Sequence, residues 1–262
     1  MSTYRYEYRL NLSLNAPCRE HMFLLKCFPQ DNRRQRILKR ETVITPECQL
    51  AYSKDWAGNM QGVGSINGEH SSFSVEITGE AETYADFYEE YDPSPSLFYR
   101  YPTHLTAAGD RIKALIADMP VFSGEYEQAV YLLHLAHGAL QYEKGVTTVK
   151  TTAEEAITLG KGVCQDFTNI YLALCRLCGI PCRYCAGLVA GIGESHAWAE
   201  VNCKGYWYAF DPTADLIVGE GYLKFAHGRD CPDCALSRGS FRGAVSQTQT
   251  VTAVLTKSSD GQ

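Results

Sequence analysis

Gly160-Lys-Gly-Val-Cys164-Gln-Asp-Phe-Thr-Asn-Ile-Tyr-Leu-Ala-Leu-Cys-Arg-Leu-Cys178-Gly179 is the stretch whose reading decides the fold. Its apolar residues Phe167, Ile170, Tyr171, Leu174 and Leu177 recur at helical spacing, and Gly179-Ile180-Pro181 stops the helix. A glycine-bracketed loop therefore delivers Cys164 to the first turn of a helix. A thiol there feels the positive end of the helix dipole and unpaired amide N–H groups, and both favour thiolate over thiol. Free cysteine is otherwise a small buried hydrophobe, so the meaning of Cys164 depends on the residues C-terminal to its helix.

Three strand-like runs come after the stop, at 182–189, 196–202 and 206–211. Only Cys203-Lys204-Gly205 separates the second from the third, which reads as a tight hairpin. In an antiparallel pair the start of one strand lies beside the end of its partner. His196 opens one strand and Asp211 closes the other. A turn centred on Cys203-Lys204 sets them opposite each other; one centred on Lys204-Gly205 sets them one pairing step apart. With Cys164 at a helix start facing that sheet, the parts of a Cys-His-Asp triad are present.

Several linked motifs carry a resemblance. Thr151-Thr-Ala-Glu-Glu, Gly162-Val-Cys164-Gln-Asp, Leu177-Cys-Gly-Ile-Pro-Cys-Arg-Tyr184, Glu194-Ser-His196-Ala-Trp198, Phe210-Asp211-Pro212-Thr213 and His227-Gly-Arg-Asp230 stand in order along the chain. Together they resemble the transglutaminase-like superfamily, most closely its bacterial branch, whose members are often labelled cysteine-protease candidates. Asp55-Trp-Ala-Gly-Asn59 resembles a turn of that branch's N-terminal β-domain, so the likeness spans nearly the whole sequence. The resemblance implies an α+β chain: a β-sandwich-like domain, then a papain-like core with the Cys-bearing helix packed on antiparallel sheet. It also places the segment 228–243 near the mouth of the site.

Composition agrees with a globular chain. At 262 residues, with 45% hydrophobic and 21% charged, there is enough apolar material for one large domain or two modest ones. A net charge of -6 gives no general attraction to nucleic acid or anionic membrane. No apolar run approaches the roughly 20 residues needed to cross a bilayer. The first ten residues alternate charges and aromatics, reading as a strand rather than a signal peptide. Eleven cysteines without an export signal are expected to stay reduced in the cytoplasm, as a thiol nucleophile requires.

The chain divides by pattern. Residues 1–83 look all-β, with period two through Tyr4, Tyr6, Tyr8, Leu10, Leu12 and Leu14 and turns at Asp31-Asn32, Gly58-Asn59 and Asn67-Gly68. The cluster Arg33-Arg34-Gln-Arg36 with Lys39-Arg40 reads as a solvated loop and strand face. Residues 84–104, with Asp92-Pro-Ser-Pro-Ser among tyrosines and phenylalanines, read as a strap packed across the domain boundary. The catalytic domain takes 105–256, and 257–262 is a tail. Within it Thr106 can cap one helix, Ser123 precedes a second, and Thr152-Ala-Glu-Glu155 has capping-box spacing for a short third. His134 and His137 share a helix face but lack an evident third ligand, so a helix-surface role is expected. Val245 to Leu255 alternates like a last strand.

Zinc competes for the cysteines. Cys175-x2-Cys178, Cys182-x2-Cys185 and Cys231-x2-Cys234 have ligand spacing. The first pair sits late in a helix, however, and the second falls on opposite faces of a strand. Cys231 and Cys234 occupy positions where related sequences usually carry Tyr and apolar residues. No metal and no cofactor is expected.

The expected chemistry is acyl transfer from an amide. His196 takes the Cys164 proton, Asp211 fixes the tautomer, sulfur attacks and a thioester forms. The backbone N–H of Cys164 is the first oxyanion donor; Gln165 and Tyr142 are further candidates. Trp198 shares the strand face of His196, where packing is expected rather than substrate contact. Water as acceptor gives a protease or amidase acting on a peptide or protein amide, and an amine gives a transglutaminase. A catalytically silent binding module on the same fold is the third reading. Hydrolysis is favoured, and the oligomeric state is left open.

Overall fold

The computed structural model describes residues 1–86 and 88–258. The N-terminal third folds as β1 (Ser2–Leu25), β2 (Gln35–Thr45), β3 (Ala51–Lys54), β4 (Met60–Ile66) and β5 (His70–Thr83). Strict alternation buries Tyr4, Tyr6, Tyr8, Leu10, Leu12 and Leu14 on one face of β1. The first half of this long strand pairs with β5, Tyr8 opposite Ile77; its second half pairs with β4, Phe23 opposite Gly64. Between the halves the register slips after Ser13, and Glu20 takes a positive φ of 51°. The irregularity bends β1, so one strand serves both parts of a curled sheet.

The core continues as α1 (Asp110–Leu115), α2 (Glu125–Gly138), β6 (Gln141–Tyr142), α3 (Ala153–Leu159), β7 (Lys161–Gly162) and α4 (Cys164–Leu177). Then come β8 (Cys182–Val189), β9 (Gly191–Gly193), β10 (His196–Cys203), β11 (Tyr206–Asp211), β12 (Leu216–Ile217) and β13 (Tyr222–Gly228). Five of these strands make an antiparallel sheet in the order β12-β11-β10-β8-β13. Ala197, Ala199 and Val201 are small enough to let α4 lie close across β10. Every residue of α4 from Asp166 to Arg176 is buried. Its aliphatic members, Ile170, Leu172 and Leu174, contribute roughly 1.5–3 kcal/mol each by leaving water. The Tyr171 hydroxyl is kept from going unpaired by donating to the Ala129 carbonyl at 3.0 Å. None of the described helices is long and apolar enough to cross a membrane.

The last two strands, β14 (Ser237–Arg242) and β15 (Gln247–Lys257), return to the first. β15 pairs with β1 from Tyr4 opposite Lys257 to Leu14 opposite Gln247. The alternating strand expected near 245–255 is present, but it belongs to the N-terminal sheet, so a catalytic domain ending at 256 does not match the hydrogen bonding. Lys257, expected in the tail, is held by the same ladder, and Ser258 N–H donates to the Thr3 carbonyl at 2.8 Å. The rest of the tail lies outside the described residues. The cause is an edge: β5 satisfies one side of β1 and leaves the other for a distant strand to fill.

Two local expectations also change. α1 starts after Gly109, not at Thr106, whose hydroxyl instead accepts from the buried Arg176 guanidinium and from Thr103 N–H. α2 starts after Gly124, so Ser123 precedes it as expected, and the Ser123 hydroxyl donates to Glu127 at 2.7 Å. Arg34 and Gln35 are not solvated. Arg34 is 5% exposed and donates to the carbonyls of Val218 and Gly219, tying the N-terminal domain to the core. Edge-to-face packing of Tyr8 on Phe225, with centroids 5.8 Å apart, joins the same two bodies. The strap lies along β11: Glu89 N–H donates to Trp207 O and Asp92 N–H to Gly205 O, each at 2.7 Å.

Candidate active site

The loop before α4 is built to place one sulfur. Thr152 and Glu155 form the reciprocal capping box that starts α3, and Gly160, with φ of 67°, ends it in the left-handed region. The chain then runs as β7 beside β6, with Gln141 opposite Lys161 and Tyr142 opposite Gly162. A Cβ on Gly162 would lie 2.7 Å from the Asp166 side chain, which explains the glycine. Asp166 turns back to accept from Val163 N–H at 2.8 Å and from the Thr147 hydroxyl at 2.7 Å. It thereby closes the first turn of α4. Burial raises the Asp166 pKa, and these hydrogen bonds only partly oppose it. Cys164 is the first residue of α4, so its backbone N–H has no acceptor within the helix.

Opposite Cys164 stands His196, at the start of β10. The hairpin pairs Cys203 with Tyr206 and Ala199 with Phe210, so the turn centres on Lys204-Gly205 and Asp211 sits one pairing step from His196. The imidazole bridges that offset: His196 Nε2 is 2.6 Å from Asp211 Oδ2. Cys164 lines the same cleft as His196 and interacts electrostatically with its ring. Burial disfavours the imidazolium, but the hydrogen bonds and charges of Asp211 and Cys164 prevail and raise the His196 pKa to about 10. Asp211 moves the other way. Burial would raise its pKa, yet contacts with His196, Tyr222 and the Thr213 N–H hold it below the ordinary value. The site is thus an imidazolium held on a carboxylate, at the edge of a cleft that Cys164 also lines.

Of the residues expected from sequence, His196 and Asp211 are hydrogen-bonded, and Cys164 and His196 line one cleft. Trp198 packs, as expected: it is 1% exposed, stacks beside His196 with centroids 6.4 Å apart and meets the Tyr222 ring edge-on. Tyr142 lines the same cleft as Cys164 and is half exposed. Gln165 is engaged elsewhere: its amide donates to Thr148 O at 3.2 Å and accepts from the Cys231 thiol at 3.1 Å. That contact brings the 228–243 segment to the site, as the resemblance implied. His134 contacts Asp215 at 2.6 Å and His137 contacts Pro212 O at 3.1 Å, so both anchor the loop after Asp211. Among the described residues no three His, Cys, Asp or Glu side chains converge as a metal site.

Sequence reading missed two residues. Tyr222 donates its hydroxyl to the same Asp211 oxygen, at 2.7 Å. It comes from β13, two strands away from β10 across β8, a neighbour relation that no local pattern records. Asp166 could have been found, since an acidic side chain at the third helical position is a capping signal.

Comparison with known proteins places this geometry. A family model described as the transglutaminase-like superfamily matches residues 120–212, and one described as the bacterial transglutaminase-like N-terminal region matches 3–82. The chain belongs to the transglutaminase-like superfamily. An uncharacterized protein of Mycobacterium leprae is 27% identical over 241 residues, 82% of this chain and 84% of that one. An uncharacterized protein of Mycobacterium tuberculosis is 33% identical over 114 residues, covering 37% of this chain and 36% of its own length. A crystal structure of a candidate cysteine protease from Cytophaga hutchinsonii superposes with a TM-score of 0.79 at 22% identity, covering all of this chain and 92% of the other. This transglutaminase-like chain thus has the fold of a general family of cysteine-based enzymes.

Proposed function

We propose that the protein is a cysteine hydrolase that cleaves a peptide or protein amide through a thioester at Cys164. The observation that carries this reading is the His196 imidazole, held by the Asp211 carboxylate and lining one cleft with Cys164. His196 holds the Cys164 proton as an imidazolium, as its raised pKa implies, and the sulfur, left as thiolate, attacks the substrate carbonyl carbon. The oxyanion forms against the free N–H of Cys164 at the start of α4. His196 returns its proton to the departing amine, the C–N bond breaks and a thioester remains. Water then attacks, giving its proton to His196, and the acid leaves as the thiolate–imidazolium pair is restored. Asp211 stays ionised throughout, with Tyr222 and His196 both donating to it. A cleft of about 500 Å³ beside Cys164 admits solvent, which favours water as the acyl acceptor. The reading also asks for a compartment that keeps Cys164 reduced, and the cytoplasm meets that need.

The test is intact-mass analysis during turnover of a peptide library, with and without a primary amine. An acyl adduct on Cys164 that decays to free acid supports hydrolysis. Decay only to an amide of the added amine would make the protein a transglutaminase instead. Slow, uniform iodoacetamide labelling across all cysteines at mildly acidic pH, with no adduct, would leave a binding module.

A further inference from the structure

The wall of the cleft facing Cys164 is a sheet edge. β9, Gly191-Ile192-Gly193, pairs on one side with β15, Gly191 opposite Leu255 and Gly193 opposite Ala253. It ends the strand order of the N-terminal sheet, and among the described residues no strand pairs with its other side. That open side borders the cleft together with Cys164 and His196. Alternate residues of a strand turn their N–H and C=O to opposite edges, so β9 presents unpaired backbone groups to the cleft whichever phase its ladder has with β15. Natural edges are usually blunted by lysine, proline or a bulge; this one is bare. A Cβ on Gly193 would meet no atom within 4 Å, so packing does not require glycine there. What glycine does is leave the edge uncovered. Ile192 is 82% exposed and Tyr142 is 53% exposed, two apolar side chains on the cleft rim with nothing to cover them.

We infer that the substrate is an extended polypeptide that adds to β9 as a strand, with an apolar side chain seated against Ile192 and Tyr142. The inference deepens the hydrolase reading and rests on it. Beyond Gly193 the chain leads through Glu194 and Ser195 directly to His196, so a peptide paired with β9 has its backbone carried toward the reacting sulfur. Main-chain pairing supplies affinity and the pocket supplies side-chain choice. Lys144 and Glu194, joined at 2.9 Å with both side chains 60% exposed, span the same mouth and are displaced by an entering chain.

Binding to the full-length Cys164→Ala protein, monitored by fluorescence anisotropy, tests the inference without requiring chemistry. Across peptides of one to six residues sharing one central amide, affinity should rise at least tenfold once the β9-facing residues are included. Methylating a single backbone nitrogen in that stretch should remove the gain. Ile192→Asp should weaken binding of a peptide with an apolar side chain about tenfold, and its exposure leaves the fold intact. Affinity independent of length, a methylated peptide that binds as well as its parent, or dimerisation through β9 at assay concentrations would each overturn the inference. Turnover of an activated ester by the unmodified protein reports separately on the reaction, so failure of the one is not mistaken for failure of the other.

Discussion

Two charged clusters lie on one face of β10, and only one of them faces the cleft. His196 and Glu200 are four positions apart on that regular strand, so both point the same way. Glu200 is fully buried between Arg183 at 2.5 Å and Lys224 at 2.6 Å; Lys224 also reaches Glu89 and Arg183 reaches Glu90 from the strap. The two cations hold Glu200 far below the ordinary carboxylate range against a large cost of burial. Asp211 is likewise buried and likewise held low. The difference lies in the cation. Arg183 and Lys224 have pKa values raised still further, so their protons never leave at accessible pH. His196 can release one, and it lines the cleft that also holds Cys164. A buried ion cluster clamps the fold when its cations are fixed and does chemistry when one of them titrates beside a nucleophile.

That contrast can be broken from either side. Cys164→Ala should remove acyl transfer, a loss of about 10⁶-fold by analogy with other nucleophile deletions, while the melting temperature stays unchanged. Detectable amide hydrolysis by this variant would show that the cleft does not work through sulfur. Asp211→Asn should cost about 10³–10⁴-fold in kcat, or about 4–5.5 kcal/mol, and leave measurable residual activity. Full activity would mean that the carboxylate only begins a turn. Glu200→Gln should do the reverse, destabilising the protein by about 3–5 kcal/mol in urea unfolding because two buried cations each lose their buried central partner. Alkylation of Cys164 in the molecules that remain folded should proceed at the normal rate.

Smaller effects sharpen the same comparison. The basic limb of kcat/KM should fall near pH 10, where His196 loses its proton. Because its folded pKa is raised, the stability His196 contributes is complete below its unfolded value of about 6.5 and is lost as pH rises through about 10. A limb that breaks near pH 7 would contradict the hold of Asp211 on the ring. Tyr222→Phe removes one of the donors to Asp211 and should lower kcat about tenfold, roughly 1.4 kcal/mol, while shifting that limb. Loss of stability with an unmoved pH profile would reduce Tyr222 to packing.

The sequence by itself determined the local objects: the helix that starts at Cys164, the hairpin that sets His196 near Asp211, the capping box at Thr152 and the alternation along β1. Each is fixed by side-chain periodicity or turn chemistry within a few residues, and such rules read directly from the chain. It left the hairpin phase open between two turns. Tertiary structure alone chose the partner of β15, buried Arg34 against Val218 and Gly219, brought Tyr222 to Asp211 and set the bare edge of β9 beside the thiol. Those contacts join residues far apart in the chain, and hydrophobic periodicity records which face of a strand is buried without naming the strand that lies beside it.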